Sequence, residues 1–253
     1  MRKVDLSVLM AVFNGEKWLN ECIDSILSNK NVRYEFLIIN DGSSDNTEKI
    51  LQSYNHPKLR IFNRENQGLT KSLNFGLQKA RGRYIARMDA DDISSPTRFK
   101  KQIEYLNLNK DLKLIGSNAE LIDMDGAHQG FAMYPKSFQS LVNNLINFIS
   151  IFPHSSIMFR REAILSLGGY NENFYRSQDY DLYLRLSEKN HFECLQEPLI
   201  KLRLNEKGPT LSDKNQVTYG IAALICFYRR KLGLLDPSNS NDNNWVNFLN
   251  EVE

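Results

Sequence analysis

The sequence predicts an α/β fold with a mainly parallel central sheet. Two observations indicate this class. Near-continuous apolar runs of strand length alternate with helical segments, and in those segments the apolar residues recur every three to four positions, as in helices that lie on a sheet. The chain has 253 residues, 42% hydrophobic and 25% charged, so it can bury a large core as one domain or as two closely joined halves.

The first half repeats a strand-then-helix unit. Residues 5–13, DLSVLMAVF, form an apolar run that ends at Asn14 and Gly15, as expected of a strand buried on both faces. A helix is predicted at 16–27 from its apolar spacing. Further strands are predicted at 35–40, 59–62 and 81–88, and further helices at 48–54 and 69–80. Because this alternation implies parallel strands with right-handed crossovers, the loops after the first, second and fourth strands should meet along one sheet edge.

The second half has a less regular order of elements. Helices are predicted at 98–109, 138–149, 161–169, 179–189 and 216–235, and strands at 112–123, 155–159 and 198–204. Residues 236–244, DPSNSNDNN, are predicted to be a polar linker. The sequence shows no internal repeat.

Composition excludes several classes of protein. The net charge of +2 comes from 32 basic and 30 acidic residues, which gives no indication of nucleic-acid binding. Cys22, Cys194 and Cys226 lie far apart without CxxC spacing, so neither a zinc site nor a disulfide framework is expected, and a reducing cytoplasm fits best. The N-terminal apolar run reads as a buried strand and not as a signal peptide, and no apolar stretch is long enough to span a membrane.

Three aspartates follow the fourth predicted strand. Asp89, Asp91 and Asp92 place like charges within four residues, and such charges resist burial unless they hold a hard cation such as Mn²⁺ or Mg²⁺. One alternative is a solvated turn in which Asp92 caps the next helix. A helix-loop-helix calcium site is close to excluded, because the sixth position of the loop is Ser94 and not glycine.

A second polar loop follows the second predicted strand. Asp41 closes that strand ahead of Gly42, so its carboxylate could accept a base N–H of a nucleotide while the glycine allows close approach of the backbone. The alternative is a plain Asx-turn. With the 11–16 loop and the aspartates along the same sheet edge, the pattern indicates a nucleotide pocket with a metal beside it.

Several motifs occur in the order and at the spacing found in one known family. They are AVFNGEKWLNECIDSIL, EFLIINDGSSDNT, NQGLTKSLNFGL, GRYIARMDADDISSPTRF, HSSIMFRREAI and SQDYDLYLRL. Over about residues 4 to 205 the chain closely resembles the family 2 glycosyltransferases, and in particular bacterial enzymes that add sugars to lipopolysaccharide or capsule chains. The resemblance implies the GT-A fold. Its parts would be a Rossmann-like nucleotide-sugar-binding half at 1–95, an acceptor-binding and catalytic-base half of the same domain at 96–212, and a C-terminal helical tail at 213–253.

The resemblance also implies an activity. It predicts an inverting, metal-dependent enzyme that moves a hexose or N-acetylhexosamine from a UDP-sugar to a hydroxyl of a growing glycan or lipid-linked glycan. Asp89, Ala90 and Asp91 would form the DxD motif, with Asp91 the direct ligand of Mn²⁺ or Mg²⁺ and Asp89 beside it. Asp179 falls on the catalytic base of the family, whereas Asp181 is expected to point elsewhere.

Other residues are assigned to the donor through the same resemblance. The uracil and ribose would be held by Asp41 and by the Ala11 to Glu16 loop, which includes Ala11, Phe13, Asn14 and Glu16. Lys71 and Asn74 are predicted to contact ribose or phosphate, with a solvated helix face as the alternative. Arg87 is a candidate for contact with the donor sugar. His154 is predicted to begin a strand near the cleft, where it either lines the acceptor site or is structural.

The sequence departs from the family pattern at two positions. Asn40 stands where many members carry an aspartate. After the base-bearing helix, Arg203 is present but Asn205 occupies the place of a histidine. A third protein ligand for the metal is therefore in doubt, and Arg203 is predicted to serve the diphosphate instead.

Two questions remain open at this stage. The basic residues Arg229, Arg230 and Lys231 follow an apolar helix face, so the C-terminal helix either packs on the domain or contacts a membrane surface, which leaves a cytoplasmic or a peripheral plasma-membrane location. The competing functions are a sugar-phosphate nucleotidyltransferase and a non-catalytic sugar-nucleotide-binding protein. The first would need a glycine-rich basic loop after strand one, but AVFNGEKWL has a single glycine.

Overall fold

The computed structural model describes residues 4–189, 191–204, 214–240 and 242–253. The strands in these ranges are β1 (Leu6–Val12), β2 (Tyr34–Asp41), β3 (Leu59–Arg64), β4 (Tyr84–Met88), β5 (Ile93–Ser94), β6 (Leu112–Ile122), β7 (His128–Ala132), β8 (Met158–Arg160) and β9 (His191–Arg203). They form one sheet in the order β3-β2-β1-β4-β8-β6-β9-β5, and β7 pairs with β6. This sheet crosses the sequence-predicted boundary at residue 95.

The first four strands are parallel, as the sequence predicts. β1 pairs with β2 on one side and with β4 on the other, and β2 pairs with β3. The register places Val12 opposite Asn40 and Met10 opposite Met88. The carboxyl ends of β1, β2 and β4 are therefore level, and the loops that follow them leave the sheet at the same edge.

The second half of the sheet is mixed. β8 runs antiparallel to both β4 and β6, β9 runs parallel to β6, and β5 runs antiparallel to β9. β9 begins seven residues before the strand predicted at 198–204, and β5 and β7 were not predicted from the sequence. β5 has two residues and β7 is largely exposed, so neither carries the apolar run that identifies a buried strand.

Helices cover both faces of the sheet. The described helices are α1 (Leu19–Leu27), α2 (Thr47–Ser53), α3 (Leu69–Lys79), α4 (Arg98–Leu108), α5 (Phe138–Ile146), α6 (Arg161–Leu165), α7 (Gln178–Ser187), α8 (Lys214–Lys231) and α9 (Asp242–Val252). Successive residues of β1 belong to two different apolar layers, one on each face of the sheet. Val8 and Met10 are in the layer that includes residues of α1 and α4, and Leu9 is in the layer that includes residues of α3 and α7.

The C-terminal region differs from its sequence prediction. The predicted linker at 236–244 instead contains a 3₁₀ turn, Pro237–Asn239, and the start of α9. The carboxylate of Asp236 accepts hydrogen bonds from Arg230 and from the backbone N–H of Ser238, and Trp245 of α9 is buried. Polar composition at this place thus reflects capping and ion pairing, not an unstructured segment.

The long helix α8 packs its apolar face on the domain. Tyr219, Ala222, Ala223 and Cys226 are all buried, as the packed-helix alternative requires. None of the helices in the described part of the chain combines the length and the apolarity needed to span a lipid bilayer.

We predict that Gly82→Ala destabilises the fold. A methyl group on Gly82 would lie 2.4 Å from the backbone nitrogen of Ser7 and 2.5 Å from the carbonyl carbon of Leu6, and the central strand β1 cannot move without disturbing its neighbours. Overpacking of this kind costs about 1–3 kcal/mol. Urea unfolding should show this loss as a lower midpoint with an unchanged slope.

The matched control is Gly220→Ala in α8. There the added methyl would meet its nearest neighbour, the Phe148 ring, at 3.5 Å, which is ordinary contact. Alanine is preferred to glycine inside a helix by up to about 1 kcal/mol, so this variant should be neutral or more stable. Equal midpoints for the two variants would contradict the packing argument.

Candidate active site

The loops after β1 and β2 are joined by hydrogen bonds between side chains and backbone. The backbone N–H of Gly15 donates to Thr47 Oγ1 at 2.9 Å, and the backbone N–H of Glu16 donates to Asp45 Oδ2 at 3.0 Å. In return, the Glu16 carboxylate accepts the backbone N–H of Asn46 at 2.9 Å. The prediction that these loops meet at one edge is therefore confirmed.

The predicted donor residues of the first loop lie at this edge. Asn14 has a positive φ of 54°, and its Oδ1 accepts the backbone N–H of Ser44 at 2.8 Å. The Phe13 ring is exposed, whereas Ala11 is half-buried in the strand. Asn14 and Glu16 thus shape the loop through their own contacts, and the exposed Phe13 ring is free to stack on a ligand.

Asp41 is buried and accepts three hydrogen bonds. Its Oδ1 receives the backbone N–H of Gln67 at 3.1 Å and the hydroxyl of Ser72 at 2.6 Å, and its Oδ2 receives the backbone N–H of Gly68 at 2.8 Å. Asp41 therefore anchors the start of α3. The alternative of a local Asx-turn at Asp41 is wrong, since these partners are 26 to 31 residues away. A carboxylate has about four acceptor positions, so one remains for a ligand.

The preceding residue makes the local turn contact. Asn40 Oδ1 accepts the backbone N–H of Ser43, three residues on, at 3.2 Å, and its Nδ2 donates to Asn63 at 3.1 Å. Both ends of the amide are used within the protein. An uncharged side chain with a donor and an acceptor therefore suits this position.

The aspartates after β4 form a compact cluster. Carboxylate oxygens of Asp89, Asp91 and Asp92 all lie within 4.8 Å of one another. Asp92 is buried and its Oδ1 accepts the backbone N–H of Arg203 at 2.9 Å. The alternative in which Asp92 caps the next helix is wrong, because α4 begins at Arg98 with Thr97 at its N-cap.

The crowding of these carboxylates opposes their ionisation. Burial and the charge of Asp89 raise the pKa of Asp91 to about 6. Burial together with the charges of Asp89 and Asp91 raises the pKa of Asp92 to about 8. Asp92 therefore holds a proton at neutral pH unless a cation compensates its charge, and Asp91 gains one at about pH 6.

Two buried guanidinium groups border the cluster. Arg87 makes an ion pair with Asp89, and its side chain is almost fully enclosed. Burial lowers the pKa of Arg87, but the charge of Asp89 outweighs this effect and the net direction is upward. Arg203 donates from Nε to the carbonyl oxygen of Asp91 at 2.9 Å. Arg203 thus lies against the turn that carries the aspartates, and its predicted contact with a diphosphate stays a prediction.

Asp179 occupies the first turn of α7. It is half-buried, and its Oδ1 accepts the backbone N–H of Tyr180 at 2.9 Å. Burial raises the pKa of Asp179, while the positive charge of Arg87 lowers it and the negative charge of Asp89 raises it. Asp179 therefore lies within electrostatic reach of the aspartate cluster, which is where a base acting on the acceptor must be.

Asp181 points away from the cluster, as the sequence predicts. It is fully buried and its Oδ2 accepts a hydrogen bond from Arg185 Nε at 2.8 Å. Burial raises its pKa, and the charge of Arg185 lowers it. Asp181 is thus part of a structural ion pair.

His154 is not in a strand. It opens a 3₁₀ turn, His154–Ser156, ahead of β8, so the prediction that it begins a strand is wrong. Its Nε2 lies 2.9 Å from the hydroxyl of Tyr170. Burial and the charge of Arg87 hold the pKa of His154 well below its usual range, so the ring is neutral and structural at physiological pH.

Lys71 and Asn74 lie on successive turns of α3 but differ in their surroundings. Asn74 donates from Nδ2 to the carbonyl of Tyr170 at 2.8 Å and to Glu172 at 3.0 Å, and its Oδ1 accepts the N–H of Tyr170 at 2.9 Å. Its amide therefore holds the 170–172 segment, and the geometry lends no support to a contact with the donor. Lys71 is exposed and lines a cavity.

This cavity has a volume of about 620 Å³. It extends from Gln67 and Gly68, which bind Asp41, to Gln178, which precedes Asp179. Ligand pockets commonly measure about 300–1,000 Å³. The lining of this cavity includes neither Asp179 nor any aspartate of the cluster, so the cavity adjoins the candidate site and does not contain the cluster.

The structure confirms that Asp92 lies in the same acidic cluster as Asp89 and Asp91. Sequence reasoning missed one feature of the site, which is that Tyr170 connects His154 to the Asn74 contacts. Tyr170 carried no usable signal, since its partners lie 16 and 96 residues away.

The donor set fits a hard divalent cation. Carboxylate oxygens are the ligands that Mg²⁺ and Mn²⁺ prefer, and one or two of them with substrate phosphate oxygens complete a site. Asp89 and Asp91 are partly accessible, whereas Asp92 is enclosed and held by Arg203. Asp89 and Asp91 are thus the candidate direct ligands.

Sequence comparison identifies the family. The model of "Glycosyl transferase family 2" matches residues 7–168. The chain is 34% identical over 209 residues to the O-antigen biosynthesis glycosyltransferase WbnJ of Escherichia coli, covering 80% of this chain and 81% of that protein. It is 29% identical over 234 residues to the amylovoran biosynthesis glycosyltransferase AmsE of Erwinia amylovora, covering 90% of this chain and 86% of that protein.

Structural comparison confirms the GT-A fold. The crystal structure of S. aureus TarS 1-349 in complex with UDP-GlcNAc superposes with a TM-score of 0.72 at 16% identity, covering 98% of this chain and 71% of that one. The mannosyltransferase PcManGT from Pyrobaculum calidifontis, in complex with GDP-Man and Mn²⁺, superposes with a TM-score of 0.66 at 14% identity, covering 99% of this chain and 69% of that one.

We predict that the metal-free protein becomes less stable as the pH rises from about 4 to about 8. Since the folded-state pKa values of Asp91 and Asp92, about 6 and about 8, exceed the ordinary value of 3.8, the folded protein binds more protons than the unfolded chain across this window. The melting temperature in EDTA should fall accordingly, and Mn²⁺ should raise it more at pH 8 than at pH 5.

Asp92→Asn isolates the contribution of the cluster. This variant should show a flatter dependence of melting temperature on pH than the wild type, whereas Asp111→Asn, at an exposed position, should follow the wild-type curve. A slope for Asp92→Asn equal to that of the wild type would show that the cluster does not control this dependence.

Proposed function

The chain belongs to glycosyl transferase family 2, and on this basis we propose that it is an inverting, metal-dependent enzyme that transfers a sugar from a UDP-sugar to a hydroxyl of a surface polysaccharide. The proposal rests chiefly on one observation. The aspartate cluster at the carboxyl end of β4 lies within electrostatic reach of Asp179. Asp179 is the carboxylate outside the cluster that the family resemblance assigns to catalysis.

The donor is proposed from the shape and polarity of the cleft. The exposed Phe13 ring and the remaining acceptor position of Asp41 suit a pyrimidine base, which offers a flat face and one N–H. The solved relatives are in complex with UDP-GlcNAc and with GDP-Man, so a nucleoside diphosphate sugar is the class of donor. UDP is favoured here because Asp41 has a single acceptor position left.

The metal is proposed to be Mn²⁺ or Mg²⁺, held by Asp91 and Asp89. When bound, it would neutralise the diphosphate and stabilise the charge that develops on the departing nucleotide. Arg87, paired with Asp89 and within reach of Asp179, keeps positive charge at the centre of the site. Lys71 on the cavity wall is proposed to attract the phosphates to this space.

Asp179 is proposed to act as the general base. Its free Oδ2 would take the proton of the acceptor hydroxyl as the bond from the sugar C1 to the diphosphate oxygen breaks. The hydroxyl oxygen attacks C1 from the side opposite the diphosphate, so the configuration at C1 inverts. The raised pKa of Asp179 strengthens it as a base once it is ionised.

The acceptor is proposed to be a growing glycan or lipid-linked glycan. WbnJ and AmsE are named for O-antigen and amylovoran biosynthesis, and both are surface polysaccharides by these names. A cytoplasmic location, at or near the inner face of the plasma membrane, would suit an acceptor of this kind.

The competing enzyme class fits the site less well. A sugar-phosphate nucleotidyltransferase would wrap a triphosphate in the loop after β1. In this chain the N–H groups of Gly15 and Glu16 are already donated to Thr47 and Asp45. The loop is therefore committed to the neighbouring loop and not to a phosphate chain.

We predict that UDP-sugars bind this protein more tightly than GDP- or dTDP-sugars. We also predict that binding reaches its full affinity only when Mn²⁺ or Mg²⁺ is present. A panel of sugar nucleotides tested by thermal shift, with metal and with EDTA, measures this directly. Assays of released UDP and of pyrophosphate then separate a transferase from a nucleotidyltransferase. Preferred binding of GDP, or release of pyrophosphate, would contradict the proposed donor or the proposed reaction.

Two variants assign the binding roles. Asp91→Ala should abolish the part of UDP binding that depends on metal, because it removes a direct ligand. Asp41→Ala should weaken UDP binding both with metal and in EDTA, because it removes the base contact and loosens the start of α3. Calorimetry distinguishes the two patterns, and an Asp91→Ala variant that binds UDP with Mn²⁺ as tightly as the wild type would exclude the metal assignment.

We predict that Asp179→Asn lowers kcat by about 10²–10⁴ and leaves UDP-sugar affinity unchanged, as expected for loss of a general base. In the wild type, kcat should fall toward acidic pH as Asp179 is protonated, beginning above the usual carboxyl range because its pKa is raised. Single-turnover kinetics and calorimetry measure the two effects separately.

Asp181→Asn is the matched control on the same helix. Since Asp181 is paired with Arg185 in the interior, this variant should lose stability while the folded fraction keeps its rate of transfer. Turnover of Asp179→Asn within about tenfold of the wild-type rate would show that another group is the base.

A further inference from the structure

Arg203 lies at the end of β9, and four of its guanidinium hydrogen bonds reach backbone or side-chain oxygens of three other segments. Nε donates to the carbonyl of Asp91 at 2.9 Å, Nη1 to the carbonyls of Asp123 and Met124 at 3.0 and 3.2 Å, and Nη2 to Glu21 Oε2 at 2.6 Å. Its side chain is 2% exposed. The guanidinium is therefore buried and committed to groups of the protein.

The same residue also holds the neighbouring aspartate through its backbone. The N–H of Arg203 donates to Asp92 Oδ1 at 2.9 Å, and Asp92 is 2% exposed. One residue of β9 thus fixes the backbone of Asp91 and the carboxylate of Asp92 at once. The cation lies over the ring of Trp18, 5.3 Å from its centroid, which closes the guanidinium on its remaining face.

These contacts decide between two roles for Arg203. A guanidinium has five N–H donors in a rigid fork, and four of them are used here, so a two-bond contact with a diphosphate would require Arg203 to abandon a bond that is sheltered from water. Keeping those bonds instead fixes the direction in which the Asp91 and Asp92 side chains leave the turn. The positive charge also offsets the repulsion within the cluster.

We propose that Arg203 is a positioning residue of the metal site, which presents the Asp91 carboxylate to a divalent cation by holding the Asp91–Asp92 turn from behind. This inference rests on the proposed metal-dependent function. It replaces the predicted diphosphate contact of Arg203 with a structural role. It also gives Asp92 the role of an internal anchor, distinct from the direct ligands Asp89 and Asp91.

The test measures Mn²⁺ binding to the metal-free protein without any nucleotide. Arg203→Met removes all guanidinium bonds and should raise the Kd for Mn²⁺, measured by calorimetry, by about 10–100-fold. This is the usual effect of losing a group that orients a metal ligand. Arg203→Lys keeps the charge but not the fork, so its Kd should fall between those of Arg203→Met and the wild type. Affinity for UDP in EDTA should not change.

Arg160→Met is the matched control. Arg160 also donates to backbone carbonyls, from Nε to Leu112 at 2.8 Å and from Nη2 to Leu106 at 2.6 Å, but it lies at the opposite end of β4, where Tyr84 pairs with it. This variant should lose stability and keep the wild-type Kd for Mn²⁺. Circular dichroism and melting temperature confirm that each variant is folded before binding is measured.

Three results would overturn the inference. The first is a Kd of Arg203→Met for Mn²⁺ that lies within twofold of the wild-type value. The second is weaker binding of UDP in EDTA by the Arg203 variants, which would indicate a diphosphate contact. The third is a loss of Mn²⁺ affinity in Arg160→Met as large as that in Arg203→Met. If the wild type binds no Mn²⁺, the proposed metal dependence fails by itself. Hydrogen exchange of residues 89–94 then decides, since faster exchange in Arg203→Met supports positioning and unchanged exchange refutes it.

Discussion

Repulsion among three carboxylates is the constraint that determines how the rest of this site is arranged. Asp89, Asp91 and Asp92 lie within 4.8 Å of one another, and in a partly buried setting like charges at such separations are costly. The protein offsets this cost with Arg87 at one side of the cluster and Arg203 at the other. Arginines are seldom fully buried unless they are paired. Two enclosed guanidinium groups beside the cluster therefore indicate that the repulsion which their positive charge offsets is large.

The topology of the sheet brings these groups together from distant parts of the sequence. Parallel pairing of β1, β2 and β4 places the Asp41 loop and the aspartates at the same edge. β9 reaches that edge from the other half of the sheet and delivers Arg203 to Asp91 across 112 residues. A change in the pairing register of β9 by one residue would turn Arg203 to the opposite face of the strand, so the contact between Arg203 and the aspartate cluster depends on the sheet as a whole.

The sequence predicts the parts of this structure that follow from local periodicity. β1 and β2 carry near-continuous apolar runs because both faces are covered by helices, and α1 and α3 show clear apolar spacing. The polar contacts could not be predicted from the sequence, and the reason is physical. Nothing in the residues around Arg203 or Asn74 indicates which carbonyls they bind, because those partners become neighbours only after the sheet has formed. The short strand β5 and the exposed strand β7 likewise owe their conformation to pairing and not to composition.

Helix α3 physically connects Asp41 with the segment that precedes Asp179, the proposed base. Its start is anchored by Asp41, the proposed contact of the nucleotide base. In the first turn, Thr70 donates to the carbonyl of Phe174 at 2.8 Å, and about one turn further on Asn74 holds Tyr170. The segment 170–174 leads directly into α7, which carries Asp179. Because the helix is rigid, its anchor at Asp41 and its contacts with the 170–174 segment keep a fixed separation. The hydrogen bonds of Asn74 therefore hold the placement of the 170–174 segment relative to the start of α3.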